Sequence, residues 1–158
     1  MEALLINIQI ARNAILNVQL ETFRGMLKQI DINAAYEDTG AALLHLCVVE
    51  SQLPFLKDLI DAGADVNVQR KDGVTPLWLA VCCEELACVQ CLIAAGANVN
   101  LSNQLGVTPL HLAVKQQHLP LFKILLAAAA DPYQKAANAQ SVIDICKQLH
   151  LQVYLDCL

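Results

Sequence analysis

Five of the six glycines in this chain fall on two ladders with a step of 33 residues, Gly40, Gly73 and Gly106 on one, Gly63 and Gly96 on the other. This period constrains the fold more than any other feature. It makes each step one structural unit that cannot hide its own apolar face, so neighbouring units must stack and share a core. The apolar residues keep the same step. Leu53, Leu86 and Leu119 align, as do Leu56, Val89 and Phe122, then Leu59, Leu92 and Leu125, then Ile60, Ile93 and Leu126. Within a unit their spacing is that of one apolar face of an α-helix. One step back lie Leu20, Phe23, Met26 and Leu27, a degenerate copy of that helix, and one step forward lie Gln152, Leu155 and Leu158, a weaker one.

A shorter helix precedes each of these. In "TPLWLAV" and "TPLHLAV" the Thr75 and Thr108 hydroxyls are placed to cap the first turn, and Pro76 and Pro109 take the first helical position, where a missing N–H costs nothing. Leu77, Leu79 and Ala80 are expected to face inward. Gly63 and Gly96 close the second helices by adopting the left-handed conformation, and "ADVN" and "ANVN" follow as extended, turn-prone segments. The unit is helix, turn, helix, hairpin.

Through "GVTPLWLAV", "GVTPLHLAV", "GADVN", "GANVN" and the period, the chain resembles the ankyrin repeat proteins over about residues 37–135. The resemblance implies an all-α ankyrin-repeat solenoid of stacked helix-turn-helix units joined by short β-hairpins or turns. It predicts a single repeat domain over 1–158, with an N-terminal capping repeat at 1–36, repeats at 37–69, 70–102 and 103–135, and a C-terminal cap at 136–158. Three departures stand out. "GAALLHLC" puts Ala42 and Leu43 where the family has Thr-Pro and so lacks a hydroxyl cap, Ala129 stands in for a helix-closing glycine, and Pro132 removes a hairpin donor.

The family binds other proteins through hairpin tips and first helices. Projected here, that face carries Asp38, Thr39, Glu50, Lys71, Asp72, Val74, Trp78, Cys82, Cys83, Gln104, Leu105, Val107, Lys115, Gln116, Asn138 and Gln140. Trp78, the only tryptophan, replaces the motif histidine present at His45 and His111. It reads either as an aromatic anchor for a partner or as filler between repeats. Val74, Leu105 and Val107 would surround it with an apolar centre suited to a protein partner. Asn67 and Asn100 read as turn residues that satisfy backbone groups, and the resemblance also matches them to the hairpin asparagine hydroxylated in some family members.

Seven cysteines are an odd number without framework spacing, which predicts free thiols in a reducing, cytoplasmic setting. Delivery into a host cell is compatible with the same features. Cys47 and Cys146 share a column with Ala80 and Ala113, and Cys88 one with Phe55 and Leu121, so these three read as packing residues. Cys88 and Cys91 form C-x-x-C inside a helix without a second ligand pair, so no metal is expected. Cys82 and Cys83 occupy columns that vary freely and should face solvent. No cofactor is expected either. Nucleophile, base and orienting group are nowhere brought together, so the chain reads as a non-enzyme.

A formal net charge of -5, with no basic run longer than Arg70-Lys71, argues against nucleic acid as partner. No apolar run approaches the ~18 residues a membrane helix requires. The opening "MEALLINIQIARNAIL" starts acidic and is broken by Asn7, Gln9 and Arg12, so no secretory leader is predicted. The tail "VIDICKQLHLQVYLDCL" is more apolar than a cap should be. Val153, Tyr154, Leu155 and Leu158 are therefore expected either to cover a second copy of the chain in a homodimer or to finish the core.

Overall fold

A computed structural model describes residues 2–36 and 38–158, the first seven of them by their backbone alone. Glu37, where the first full repeat is expected to begin, lies outside the described residues, as does Met1. The helices run in chain order as α1 (Glu2–Leu16), α2 (Leu20–Met26), α3 (Leu43–Val49), α4 (Leu53–Asp61), α5 (Pro76–Cys82), α6 (Leu86–Ala94), α7 (Pro109–Lys115), α8 (Leu119–Ala127), α9 (Val142–Gln148) and α10 (Gln152–Leu155). Among the described residues there is no strand, and pairing is limited to two isolated antiparallel bridges, Ala35 with Ala42 and Lys135 with Ser141. The architecture is the expected all-α stack of antiparallel helix pairs.

Each pair packs on the next. The first helices form an unbroken row, α1 on α3, α3 on α5, α5 on α7 and α7 on α9, and α2, α4 and α6 run beside it. Small side chains let that row close up. Ala14, Cys47, Ala80, Ala113 and Cys146 occupy one column at the 33-residue step and all are buried. The neighbouring column runs Ile15, Val48, Val81, Val114, all 0% exposed, and ends on exposed Lys147, where no further pair packs among the described residues. These columns place the inward face of α1 in register with the first helices, although the sequence reading found only the second helix of that unit. The second helices bury Phe23, Phe55, Leu56, Leu59, Cys88, Val89, Leu92, Leu121, Phe122 and Leu125, and with the first helices these make one continuous core.

The helix starts follow the sequence where hydroxyls are present. Thr75 accepts from the Trp78 N–H, Thr108 from that of His111, and Ser141, which the reading passed over, from that of Asp144. At α3 no hydroxyl is available. The His45 ring reaches back instead, its Nδ1 accepting from the Ala42 N–H at 3.0 Å.

The hairpins lock to one another through backbone. Lys71 N–H donates to Thr39 O, Gln104 N–H to Asp72 O and Ala137 N–H to Leu105 O, at 2.9, 2.9 and 2.8 Å. This approach explains the first glycine ladder twice over. Gly73 has φ +81, and a Cβ there would stand 3.0 Å from Gln104 N in the next hairpin. Ala139, the following rung, keeps the left-handed φ of 61 with no hairpin packed beyond it among the described residues. A second set of struts comes from asparagines. The Oδ1 atoms of Asn33, Asn67 and Asn100 accept from the backbone N–H of Asp65, Asn98 and Asp131 at 2.8, 2.7 and 2.7 Å.

The C-terminal helix corrects one expectation. Gln152 and Leu158 are exposed and Leu155 half-buried, whereas Tyr154 is buried at 5% exposure, because it continues the Phe55, Cys88, Leu121 column and meets Phe122 edge to face with centroids 4.9 Å apart.

Candidate binding face

The face projected from the sequence is built by the hairpin tips and by α3, α5, α7 and α9. Asp38, Thr39, Glu50, Lys71, Asp72, Cys82, Cys83, Gln104, Leu105, Lys115 and Asn138 are exposed, while Trp78, Val107, Gln116 and Gln140 are half-buried. Val74 is the exception. Only 5% exposed, it lies under the hairpin, its N–H bonded to the Asp72 carboxylate and its carbonyl capped by the His45 ring, so it contributes no side chain to the surface. Of the expected apolar centre, Leu105 alone stands out, at 65% exposure.

Several polar members of the face brace the scaffold. Gln104 Nε2 donates to Lys71 O at 2.6 Å and Gln116 Nε2 to Cys82 O at 2.9 Å, each linking successive repeats. Asn138 Nδ2 donates to Gln140 Oε1 at 2.7 Å, holding the last hairpin tip.

Trp78 resolves through its hydrogen bond. His45 Nε2 donates to Val74 O at 3.0 Å and His111 Nε2 to Gln140 O at 3.3 Å, each reaching the carbonyl 29 residues on; Trp78 Nε1 donates to Val107 O, also 29 residues on, at 2.9 Å. The indole thus takes over the histidine's role as a strap to the next repeat. Burial, the largest effect, holds both histidines below their ordinary value of 6.5. Each is therefore neutral, with Nδ1 accepting from its own helix start and Nε2–H donating across the repeat boundary.

The thiols divide as the columns do. Cys47, Cys88 and Cys146 are buried, Cys91 and Cys157 half-buried, Cys82 and Cys83 exposed, and none is disulfide-bonded. Burial drives the Cys88 thiol up to about 11 and raises Cys47, Cys91 and Cys146 as well, so these are protonated packing groups at neutral pH. His118 is occupied as the cap of α8, its Nδ1 accepting from the Leu121 N–H at 3.2 Å. Among the described residues no group of three or more His, Cys, Asp or Glu side chains is placed to hold a metal ion.

Two hollows open along the face. One, of about 220 Å³, is lined by Leu105, Val107 and Lys115 together with the last hairpin. The other, of about 300 Å³, lies at the opposite end between α1, α3 and two hairpins. It brings in three residues that the reading left out, Arg12, Tyr36 and Arg70. A signal for the first existed, since carrying the His45, Trp78, His111 column back by one period lands on Arg12. Its guanidinium lies over the Tyr36 ring, 5.8 Å from the centroid. Burial raises the Tyr36 phenol above its ordinary value against the opposing Arg12 charge, so it stays protonated.

Helix pairs stacked at a fixed step, with buried apolar columns inside and varied side chains along hairpin tips and first helices, define a repeat solenoid. Residues 44–136 match the family model for ankyrin repeats in three copies, and the chain belongs to the ankyrin repeat family. A stretch of 51 residues, 32% of the chain, is 43% identical to the Neurogenic locus Notch protein of Drosophila melanogaster, and this covers 2% of that protein's length. Ankyrin repeats are generally protein–protein interaction modules, and the family is typically non-catalytic. Among the described residues no helix is long and apolar enough to cross a membrane.

Proposed function

We propose that this chain is a non-catalytic interaction module that binds a protein partner through its hairpin tips and first helices, as adaptor, inhibitor or effector. The observation that carries this reading is the contrast between columns. At the ends of the first helices, Val49, Cys82, Lys115 and Gln148 are equivalent, all exposed and all different, whereas the columns one and two residues earlier hold small or β-branched residues and are buried wherever another pair follows. Packing dictates the second kind of column and leaves the first free to serve recognition. The seven free thiols support a reducing, cytoplasmic setting for such a module, and its net charge of -5 supports a partner other than nucleic acid. The units at 1–36 and 136–158 act in this reading as caps on a single repeat domain.

The test is affinity capture followed by variants on the two sides of the stack. Leu105→Asp with Lys115→Glu, on the proposed face, should abolish recovery of the captured protein, while Lys57→Glu with Lys123→Glu, on exposed positions of α4 and α8, should leave it unchanged. The reverse pattern would move the binding surface to the second helices.

One observation favours a second reading, in which the chain self-assembles through its C-terminal end. Leu149, Val153 and Leu158 are exposed there at 44%, 58% and 47%. Light scattering decides it: a dimer converted to monomer by Val153→Asp supports assembly, and a monomer at all concentrations removes it.

A further inference from the structure

We infer that Cys82 and Cys83 form a two-thiol redox site, which a low-molecular-weight disulfide oxidises to a bond between the two sulfurs, and that closing this ring releases the end of α5 from the next repeat. This goes beyond the proposed function and does not depend on it. The pair stands apart from the other thiols. Both are exposed, whereas Cys47, Cys88 and Cys146 are buried and Cys91 and Cys157 half-buried. The equivalent positions hold Val49 and Glu50, Lys115 and Gln116, Gln148 and Leu149, so packing of the stack does not call for thiols here.

The exchange runs in two steps. The Cys82 thiolate attacks a sulfur of the small disulfide, forming a mixed disulfide and expelling one small thiolate. The Cys83 thiol then loses its proton and attacks the Cys82 sulfur, expelling the second. Two protein thiols and one small disulfide become one protein disulfide and two small thiols, with both electrons passing to the small molecule. Adjacency in the chain holds the second thiol beside the first, which favours ring closure over attack by another molecule. The order follows from the surroundings of Cys83. Burial, then the neighbouring Cys82 and Glu85, raise its thiol above the ordinary value. Cys83 is thereby the poorer source of thiolate, which leaves the opening attack to Cys82.

Closure cannot leave the helix end as it stands. Consecutive helical residues project about 100° apart and do not face each other, while a disulfide brings its Cβ atoms to about 3.8 Å. The peptide joining Cys82 to Cys83 must therefore turn. Two bonds run through that peptide: Cys83 N–H donates to Leu79 O at 2.8 Å, and Cys82 O accepts from Gln116 Nε2 of the next repeat at 2.9 Å. The position limits the damage to these. Cys82 is the last residue of α5, Cys83 its cap, and Glu84 already turns the chain with a φ of 59°. A ring between adjacent residues is strained and so readily reduced, and strained or exposed disulfides are the labile, regulatory ones. In a reducing setting the pair rests as the dithiol and closes only when the small disulfide accumulates.

The test treats the reduced full chain, without oxygen, with excess oxidised glutathione and follows it by intact mass, peptide mapping after alkylation and amide spectra. The wild type should lose two hydrogens, form no covalent dimer and yield a peptide in which Cys82 and Cys83 are joined to each other. Cys82→Ser and Cys83→Ser, each lacking one thiol, should stop at the mixed disulfide, and Cys83→Ser should reach it severalfold faster. Both positions are exposed, so neither serine threatens the fold. Closure should shift the Gln116 side-chain amide signals and speed exchange of the Cys83 amide about tenfold or more while the amides of α7 and α8 keep their protection. Excess reduced glutathione should reverse both changes. A mixed disulfide that persists on the wild type, a covalent dimer, or a bond drawn from Cys91 or Cys157 overturns the site. Closure that leaves the Gln116 signals and the Cys83 exchange unchanged overturns the release of α5.

Discussion

Trp78 shows how much a single side chain in a repeat is decided by its equivalents. An isolated tryptophan on a presumed binding face invites the reading of an anchor, yet its indole N–H makes the bond to Val107 O that two histidines make elsewhere in the stack. Trp78→Phe keeps a ring of similar shape and removes the donor; Val107 O still accepts from Asn103 N–H, so the loss should be small, about 1 kcal/mol. Trp78→His should recover most of it by rebuilding the strap. Urea unfolding of the three proteins checks this, and a histidine variant no better than phenylalanine would mean that packing alone matters at this site. The substitution was legible in the sequence as a departure from the column; the bond was not, because nothing in a linear pattern says that the ring points at a carbonyl 29 residues away. A second column escaped the reading entirely. Val18, Ser51, Glu84, Gln117 and His150, one per unit in the turn between helices, all have φ between 53° and 59°. Glycine betrays such positions in a sequence, and here none is glycine, so the conformation leaves no trace. Val18 is the most strained of them, since a β-branched side chain crowds its own backbone in that region.

At the scale of the element, each first helix is started by a small hydrogen-bonded device, and the devices differ in what pH does to them. α3 and α7 begin under buried neutral histidines, α5 under a threonine with a tryptophan that cannot titrate, α9 under Ser141, whose N–H and hydroxyl both donate to Asp144. The sign follows from the direction of the shifts. His45 and His111 are held below 6.5 in the folded chain, so as pH falls through that value the unfolded chain takes up protons that the folded chain refuses. Stability is then fully present above pH 6.5 and declines below it, by about 1.4 kcal/mol per pH unit for each histidine until the folded value is reached. Asp144 is shifted the opposite way, lowered chiefly by the Ser141 backbone bond, and its contribution persists until pH falls through the carboxylate range. The midpoint of urea unfolding should therefore drop between pH 7.5 and 5.5 in the wild type, and His111→Gln should flatten that slope by about half, even though the variant starts from a lower midpoint. An unchanged slope would place the acid sensitivity elsewhere. The helices themselves were legible through Thr-Pro and the apolar period. The start of α3 was legible only as a missing cap, because the compensating His45 Nδ1 bond depends on how the ring sits in the stack.

At the scale of the whole molecule, a stack has neighbours on two sides in the middle and on one side at its ends, so stability should grade along it. The contacts at the ends are of one kind. Phe23 meets Phe55 edge to face at 5.0 Å, joined by Arg24 to Asp58 at 2.7 Å, and Phe122 meets Tyr154 at 4.9 Å. The repeat period made this architecture legible from the first glycine ladder, but the end pairings lay outside it, since both terminal units depart from the motif where they couple to the rest. Phe122 and Tyr154 separate the two levels. Phe122 is fully buried between helices, and Phe122→Ala should lower stability by about 3–5 kcal/mol, loosening the central helices along with α9 and α10. Tyr154→Ala removes the same ring pair from the outside, so amides of α9 and α10 should lose hydrogen-exchange protection while those of α5 to α8 keep theirs. Equal loss at every amide in the Tyr154 variant would contradict a stack and describe one indivisible globule.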